Sequence, residues 1–214
     1  MPDLVDDAAL SRQLRRLRKI LPDATCALHH RNGWELLVAT ILSAQCTDKL
    51  INEVTPGLFA RFPGPAELAG ADVTEVCALV GRVTFYRNKS KHLVATAQAI
   101  VSMHGSEVPR TMAELIALPG VARKTANVVL GTAFGIPSGF VVDTHVARLT
   151  QRLGFVAADT PVAIEAAMME RVPKARWIEL AHQLILHGRQ TCLARKPRCE
   201  ACVLAPDCPA SEVG

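Results

Sequence analysis

The chain has 214 residues, half of them hydrophobic, enough for a real core in one large domain or two small ones. Its net charge of +4 permits an anionic partner without demanding nucleic acid, and an aromatic content of 4% argues against an RNA-type stacking platform. No apolar run approaches bilayer-spanning length, and the start MPDLVDDAAL carries acids where a signal peptide carries bases, so a cytoplasmic protein without a membrane partner is expected.

Leu10, Leu14, Leu17 and Leu21 recur at helical spacing among Arg12, Arg15, Arg16, Arg18 and Lys19, which predicts a basic amphipathic helix over 6–20. Its basic face reads first as a solvated surface and second as a phosphate contact. WELLVATILSA, residues 34–44, is apolar nearly all round, as suits a helix in the middle of a bundle. Gln45-Cys46-Thr47-Asp48 then interrupts, and Thr47 or Asp48 caps a helix carrying Leu50, Ile51, Val54 and Leu58. Phe62-Pro63-Gly64-Pro65 reads as a linker, with helices near 72–80 and 88–104 beyond it. Gly81 to Asn88 forms a basic loop between those two helices, containing the single tyrosine.

Thr111-Met112-Ala113-Glu114 is a capping box, so a short helix runs from there to Leu118. Pro119-Gly120 is a turn dipeptide between two helical runs, which together predict a helix-hairpin-helix. Amides at the hairpin and at the start of the second helix lack intrahelical partners and can grip a phosphate. Lys124 falls in the first turn of that second helix, where the dipole favours the neutral amine and hence a nucleophile. Asp143 caps a helix to Leu153, Asp159-Thr160-Pro161 opens one to about Arg171, and a last helix over 174–187 is closed by Gly188. No stretch alternates as a strand would, so the predicted class is all-α.

Four of the seven cysteines, Cys192, Cys199, Cys202 and Cys208, crowd into a C-x6-C-x2-C-x5-C segment. In a reducing compartment this suggests metal rather than disulfides. The ligand count fits a [4Fe-4S] cluster, and the irregular spacing favours it over zinc, the competing reading, whose sites join two close pairs. Cys26, Cys46 and Cys77 lie in apolar contexts and read as core. Arg195, Lys196 and Arg198 make a positive loop inside the segment, for phosphate contact or simply solvated.

LPGVARKTANVV at the hairpin, VDTH at 142–145 and the cysteine tail together resemble endonuclease III, a DNA glycosylase with abasic-site lyase activity, over nearly the whole chain. SAQCTD at 43–48 and ILHGRQTCLARKPRC at 185–199 resemble segments of the same family. The resemblance implies an all-α helix-hairpin-helix DNA glycosylase fold of two helical domains flanking a DNA-binding cleft. One is a six-helix barrel over 26–137; the other joins 1–25 to 138–214 and carries the C-terminal iron-sulfur cluster loop.

Lys124 matches the family's catalytic lysine and Asp143 its catalytic aspartate. Gln45 matches the residue that fills the gap left by a flipped base, Asp48 and His145 fall near the base pocket, and Gly120, Val121 and Ala122 present hairpin amides to phosphate. The implied partner is double-stranded DNA with a damaged pyrimidine or an abasic site, bound by a monomer associated with the nucleoid. A monofunctional adenine or mismatch glycosylase would lack the lysine, and a purely DNA-holding hairpin module needs neither Lys124 nor Asp143.

Two departures stand out. Ala122 replaces the second glycine of the family's usual LPGVG, adding a Cβ where phosphate approaches, so a weaker grip is expected. The 81–88 loop reads as longer than the family's, where a second wedge meets the opposite strand, with Arg82 and Val83 as candidates.

Overall fold

The computed structural model describes residues 4–213 and is helical throughout, with no strand among the described residues. In chain order the helices are α1 (Asp7–Ile20), α2 (Gly33–Ser43), α3 (Asp48–Arg61), α4 (Pro65–Ala69), α5 (Val73–Leu79) and α6 (Tyr86–His104). They continue as α7 (Met112–Ala117), α8 (Arg123–Phe134), α9 (Thr144–Arg152), α10 (Pro161–Arg171) and α11 (Trp177–Gln190), with short 3-10 turns before α11 and in the cysteine segment. Contacts divide the chain into two compact units, residues 26–138 and residues 1–25 with 139–214.

The 26–138 unit is built around α2, whose Leu36, Leu37, Ala39 and Leu42 are fully enclosed. Each such leucine contributes about 2 kcal/mol as an upper estimate, so a helix apolar on every side is stable only with neighbours all round. α3, α6 and α8 supply them. Asn32 starts α2 by accepting the Glu35 amide at 2.9 Å, and Thr47 caps α3 by accepting the Leu50 amide at 3.2 Å. Thr111 caps α7, and its hydroxyl donates to the Glu114 carboxylate at 2.6 Å.

The sequence expectation of a linker at Phe62 to Pro65 needs correction. Gly64 is an N-cap and Pro65 the first residue of α4, because proline lacks only an N–H that a first turn leaves unpaired anyway. α6 likewise begins at Tyr86, inside the expected 81–88 loop.

In the other unit Leu10, Leu14 and Leu17 of α1 share a core with Phe140, Leu149, Phe155, Ile164, Met168 and Leu184. The basic face of α1 is only partly solvated. Arg12 and Arg16 both reach Asp207 in the cysteine segment, each at 2.6 Å, and hold its carboxyl below the usual carboxylate range. Arg18 reaches Glu179 of α11 at 3.2 Å.

Gly188 does not close the last helix. It lies inside α11, which runs to Gln190, and is buried where α9 crosses. A Cβ there would come within 3.0 Å of Arg148 Nη2 and of His145 Nδ1, so the glycine serves close approach between helices.

Candidate functional site

The hairpin follows from its turn residues. The Leu118 amide ends α7 on the Leu115 carbonyl, and Gly120 then takes φ +76, a left-handed conformation that costs glycine nothing. α6 braces this turn from behind. Thr96 donates its hydroxyl to the Pro119 carbonyl at 2.5 Å, and the His92 ring lies so close that a Cβ on Gly120 would meet it at 2.9 Å.

Val121 departs from expectation. Its amide donates to the Leu118 carbonyl at 3.2 Å and its side chain is buried, so it anchors the turn and has no N–H to offer a phosphate. Gly120 and Ala122 are exposed, and their amides have no partner among the described residues. Ala122 is the N-cap of α8 at φ −88 and ψ 165, ordinary extended backbone, so its Cβ brings no strain and no side-chain cap. Lys124 is the second residue of α8 and exposed, at the end where unpaired amides and the positive dipole gather.

Asp143 caps α9, its Oδ1 accepting the Val146 amide at 2.8 Å. The bond occupies one carboxylate oxygen and fixes the direction of the other. His145 is half-buried against Gly188 of α11, with Nδ1 3.3 Å from Arg148 Nη2. Burial pushes its pKa down; Asp143 pulls it up, while Arg148 and Arg189 lower it further. Its surroundings are those of a helix-packing residue.

Gln45 is exposed between α2 and α3 and sits at φ +57, the left-handed region an L side chain rarely occupies. Asp48 is half-buried in the first turn of α3. Of the two residues expected as a second wedge, Val83 is 2% exposed and Arg82 is paired with Glu53 at 2.8 Å. Phe85 was missed. It is 61% exposed, holds φ +58 and precedes the first residue of α6. An aromatic beside the only tyrosine was visible in the sequence, but its exposure depends on where α6 begins.

The four cysteines of the C-terminal segment are half-buried, form no disulfide and line a single cavity together with Arg152 and His187. Four thiols brought to the wall of one cavity match the ligand count of a [4Fe-4S] cluster. Burial raises the pKa of Cys202 and Cys208, and the neighbouring cysteines raise both further, a repulsion that bound iron relieves.

Polar groups surround the sulfurs. Arg152 Nη1 lies 3.5 Å from Cys192 Sγ and donates to the Leu193 carbonyl at 2.7 Å, while its Nη2 donates to the Ala194 carbonyl at 3.0 Å. Arg148 donates to the carbonyls of Gly188 and Cys192 at 3.0 and 2.9 Å. His187 Nε2 is 3.5 Å from Cys202 Sγ, and burial lowers the His187 pKa to about 4. Arg195, Lys196 and Arg198 are exposed on this loop, with Lys196 at φ +54. Cys26 and Cys46 pack against the 26–138 core, and Cys77 is half-buried.

Comparison with known proteins matches residues 38–174 to the helix-hairpin-helix superfamily of base excision DNA repair proteins. Residues 192–208 match the iron-sulfur binding domain of endonuclease III. The chain is 50% identical over 196 residues to endonuclease III of Synechocystis, covering 92% of this chain and 90% of that protein. It is 42% identical over 196 residues to endonuclease III of Bacillus subtilis, covering 91% and 89%. Among solved structures, a trapped endonuclease III–DNA covalent intermediate superposes with a TM-score of 0.92 at 39% identity, covering 97% of this chain and 98% of that one.

Proposed function

The chain belongs to the endonuclease III family, and from that premise we propose that it removes oxidised pyrimidines from duplex DNA and cuts the abasic strand, with Lys124 as nucleophile and Asp143 as the assisting carboxylate. It is a bifunctional DNA glycosylase and abasic-site lyase of base excision repair, and it carries a [4Fe-4S] cluster. The observation that carries the residue assignment is the placement of Lys124, an exposed amine one turn from a hairpin whose Gly120 and Ala122 amides are open.

Departure of a damaged base leaves oxocarbenium character at C1′ of the deoxyribose, which the Asp143 carboxylate stabilises. The Lys124 amine forms a bond to C1′ as the C1′–N bond to the base breaks, and the base leaves with a proton. Ring opening converts the adduct to a Schiff base. The imine acidifies the C2′ hydrogens; loss of one expels the 3′ phosphate by β-elimination, and water later releases the sugar fragment from the lysine. Asp143, its second oxygen free of the helix cap, also takes the proton that Lys124 loses and passes it to the departing base, which leaves the carboxylate charged as positive character develops at C1′.

Gln45 and Phe85 supply the side chains that enter the duplex, Gln45 filling the space of the extruded nucleotide and Phe85 pressing on the opposite strand. Gly120 and Ala122 offer amides to the backbone, and Arg195, Lys196 and Arg198 add positive charge against phosphate. Asp48 borders the base pocket. Cys192, Cys199, Cys202 and Cys208 hold the cluster, which when bound fixes the loop that carries those cations. Chromosomal DNA in the cytoplasm is the proposed location of its work.

Borohydride reduction during reaction with an abasic duplex tests the assignment. Wild type is expected to give a covalent protein–DNA band and Lys124→Ala none. An undiminished band with Lys124→Ala overturns the lysine's role.

A further inference from the structure

Lys89 lies in the first turns of α6 and is 7% exposed, an unusual position for an ammonium group. Its Nζ donates to the Leu42 carbonyl at 2.8 Å and to the Ala44 carbonyl at 2.6 Å, and lies 3.7 Å from Cys46 Sγ. None of these partners is a carboxylate. Burial pushes the lysine pKa down and the Cys46 sulfur pulls it back up.

The acceptors share a location. Leu42 and Ala44 end α2, where carbonyls have no intrahelical partner and the dipole is negative. Ala44 and Cys46 are the chain neighbours of Gln45, whose φ of +57 is a strained conformation that persists only where its surroundings impose it. One buried cation therefore grips the residues on both sides of a left-handed glutamine. The Cys46 amide, bonded to the Ser43 carbonyl at 2.9 Å, closes the same turn.

We propose that Lys89 is a positioning residue for nucleotide extrusion, its ammonium clamping the turn from Leu42 to Cys46 so that Gln45 is already set in the conformation that enters the duplex. The proposal rests on the reading of Gln45 as the gap-filling side chain. Lys89 does not touch DNA in this scheme; it removes the need to order the turn at the moment of insertion.

The test compares Lys89→Met, Gln45→Ala and the double variant on two substrates. One is a duplex carrying an oxidised pyrimidine, which requires extrusion, and the other a single-stranded abasic oligonucleotide, which requires only the lysine chemistry. Lys89→Met is expected to slow single-turnover excision from the duplex about tenfold, as Gln45→Ala does, and the double variant to be no slower than either. Single-strand cleavage by Lys89→Met should stay within about twofold of wild type, while the unstacking signal of a 2-aminopurine beside the lesion is delayed in both single variants.

Equal losses on both substrates, or a double variant whose defects multiply, overturn the proposal. If Gln45→Ala leaves duplex excision intact, the wedge reading itself fails, and that outcome is distinct because it does not involve Lys89. Should Lys89→Met not fold, Lys89→Arg keeps the cation while displacing its donors, and the same selective loss on duplex is expected.

Discussion

At Asp143 one side chain is asked to do two jobs, and the geometry allows them to be pulled apart. The carboxylate caps α9 through the 2.8 Å bond to the Val146 amide, and in the proposed mechanism its other oxygen serves the sugar. Asparagine caps as well as aspartate but carries no charge. Asp143→Asn should therefore melt within a few tenths of a kcal/mol of wild type while base excision falls by two orders of magnitude or more. Asp143→Ala should lose about 1 kcal/mol of stability in addition. Chemical denaturation alongside single-turnover kinetics separates the two effects, and an Asp143→Asn protein that excises normally would reduce the residue to a cap. Ala122 is simpler: at φ −88 the backbone has no need of a glycine, so only the bulk of its Cβ remains to disturb a phosphate.

At the level of elements, α9 works as a strut. Asp143 caps its first turn, while Arg148 and Arg152 send five hydrogen bonds to Gly188, Cys192, Leu193 and Ala194 at the mouth of the cysteine segment. Gly188→Ala should therefore act beyond its own helix, because the added methyl displaces Arg148 and His145. A loss of about 1–3 kcal/mol is expected in chemical denaturation, with a lower iron content after purification. Normal stability together with full iron would show that α9 and α11 have room to spare.

The same element explains what a linear reading could and could not reach. The caps at Thr111 and Asp143 and the all-apolar α2 are local patterns, legible because neighbouring residues cause them. Gly188 reads as a stop signal until another helix is laid across it. The burial of Lys89 is hidden for the same reason, since its acceptors lie more than forty residues away. Phe85 becomes conspicuous only once α6 is seen to start at Tyr86.

For the molecule as a whole, acid is the condition that tests folding. Burial lowers the pKa of His182, and burial with Arg148 and Arg189 lowers that of His145 against the pull of Asp143. Below the ordinary histidine range, near 6.5, the unfolded chain takes up protons that the folded chain refuses, so stability falls as pH drops from there towards the folded-state values. Each buried histidine contributes up to about 1.4 kcal/mol per pH unit across that window, less for the half-exposed His145. The midpoint of thermal unfolding should therefore decline between about pH 7 and pH 5.5. His182→Gln should flatten the decline, and an unchanged slope would assign it to other groups.

The path of the chain has a further consequence, for its synthesis. α1 shares its core with Phe140, Phe155 and Leu184, but residues 26–138 form a separate unit that lies between them in the sequence. A ribosome adding about 5–20 residues per second delivers that inner unit complete while α1 still waits on the order of ten seconds for its partners. During this interval Leu10, Leu14 and Leu17 sit on a basic helix with no surface to cover them. The nascent chain is then most open to proteases and chaperones at α1, and the cysteine segment, made after the inner unit, is the one that must gather both iron and that helix.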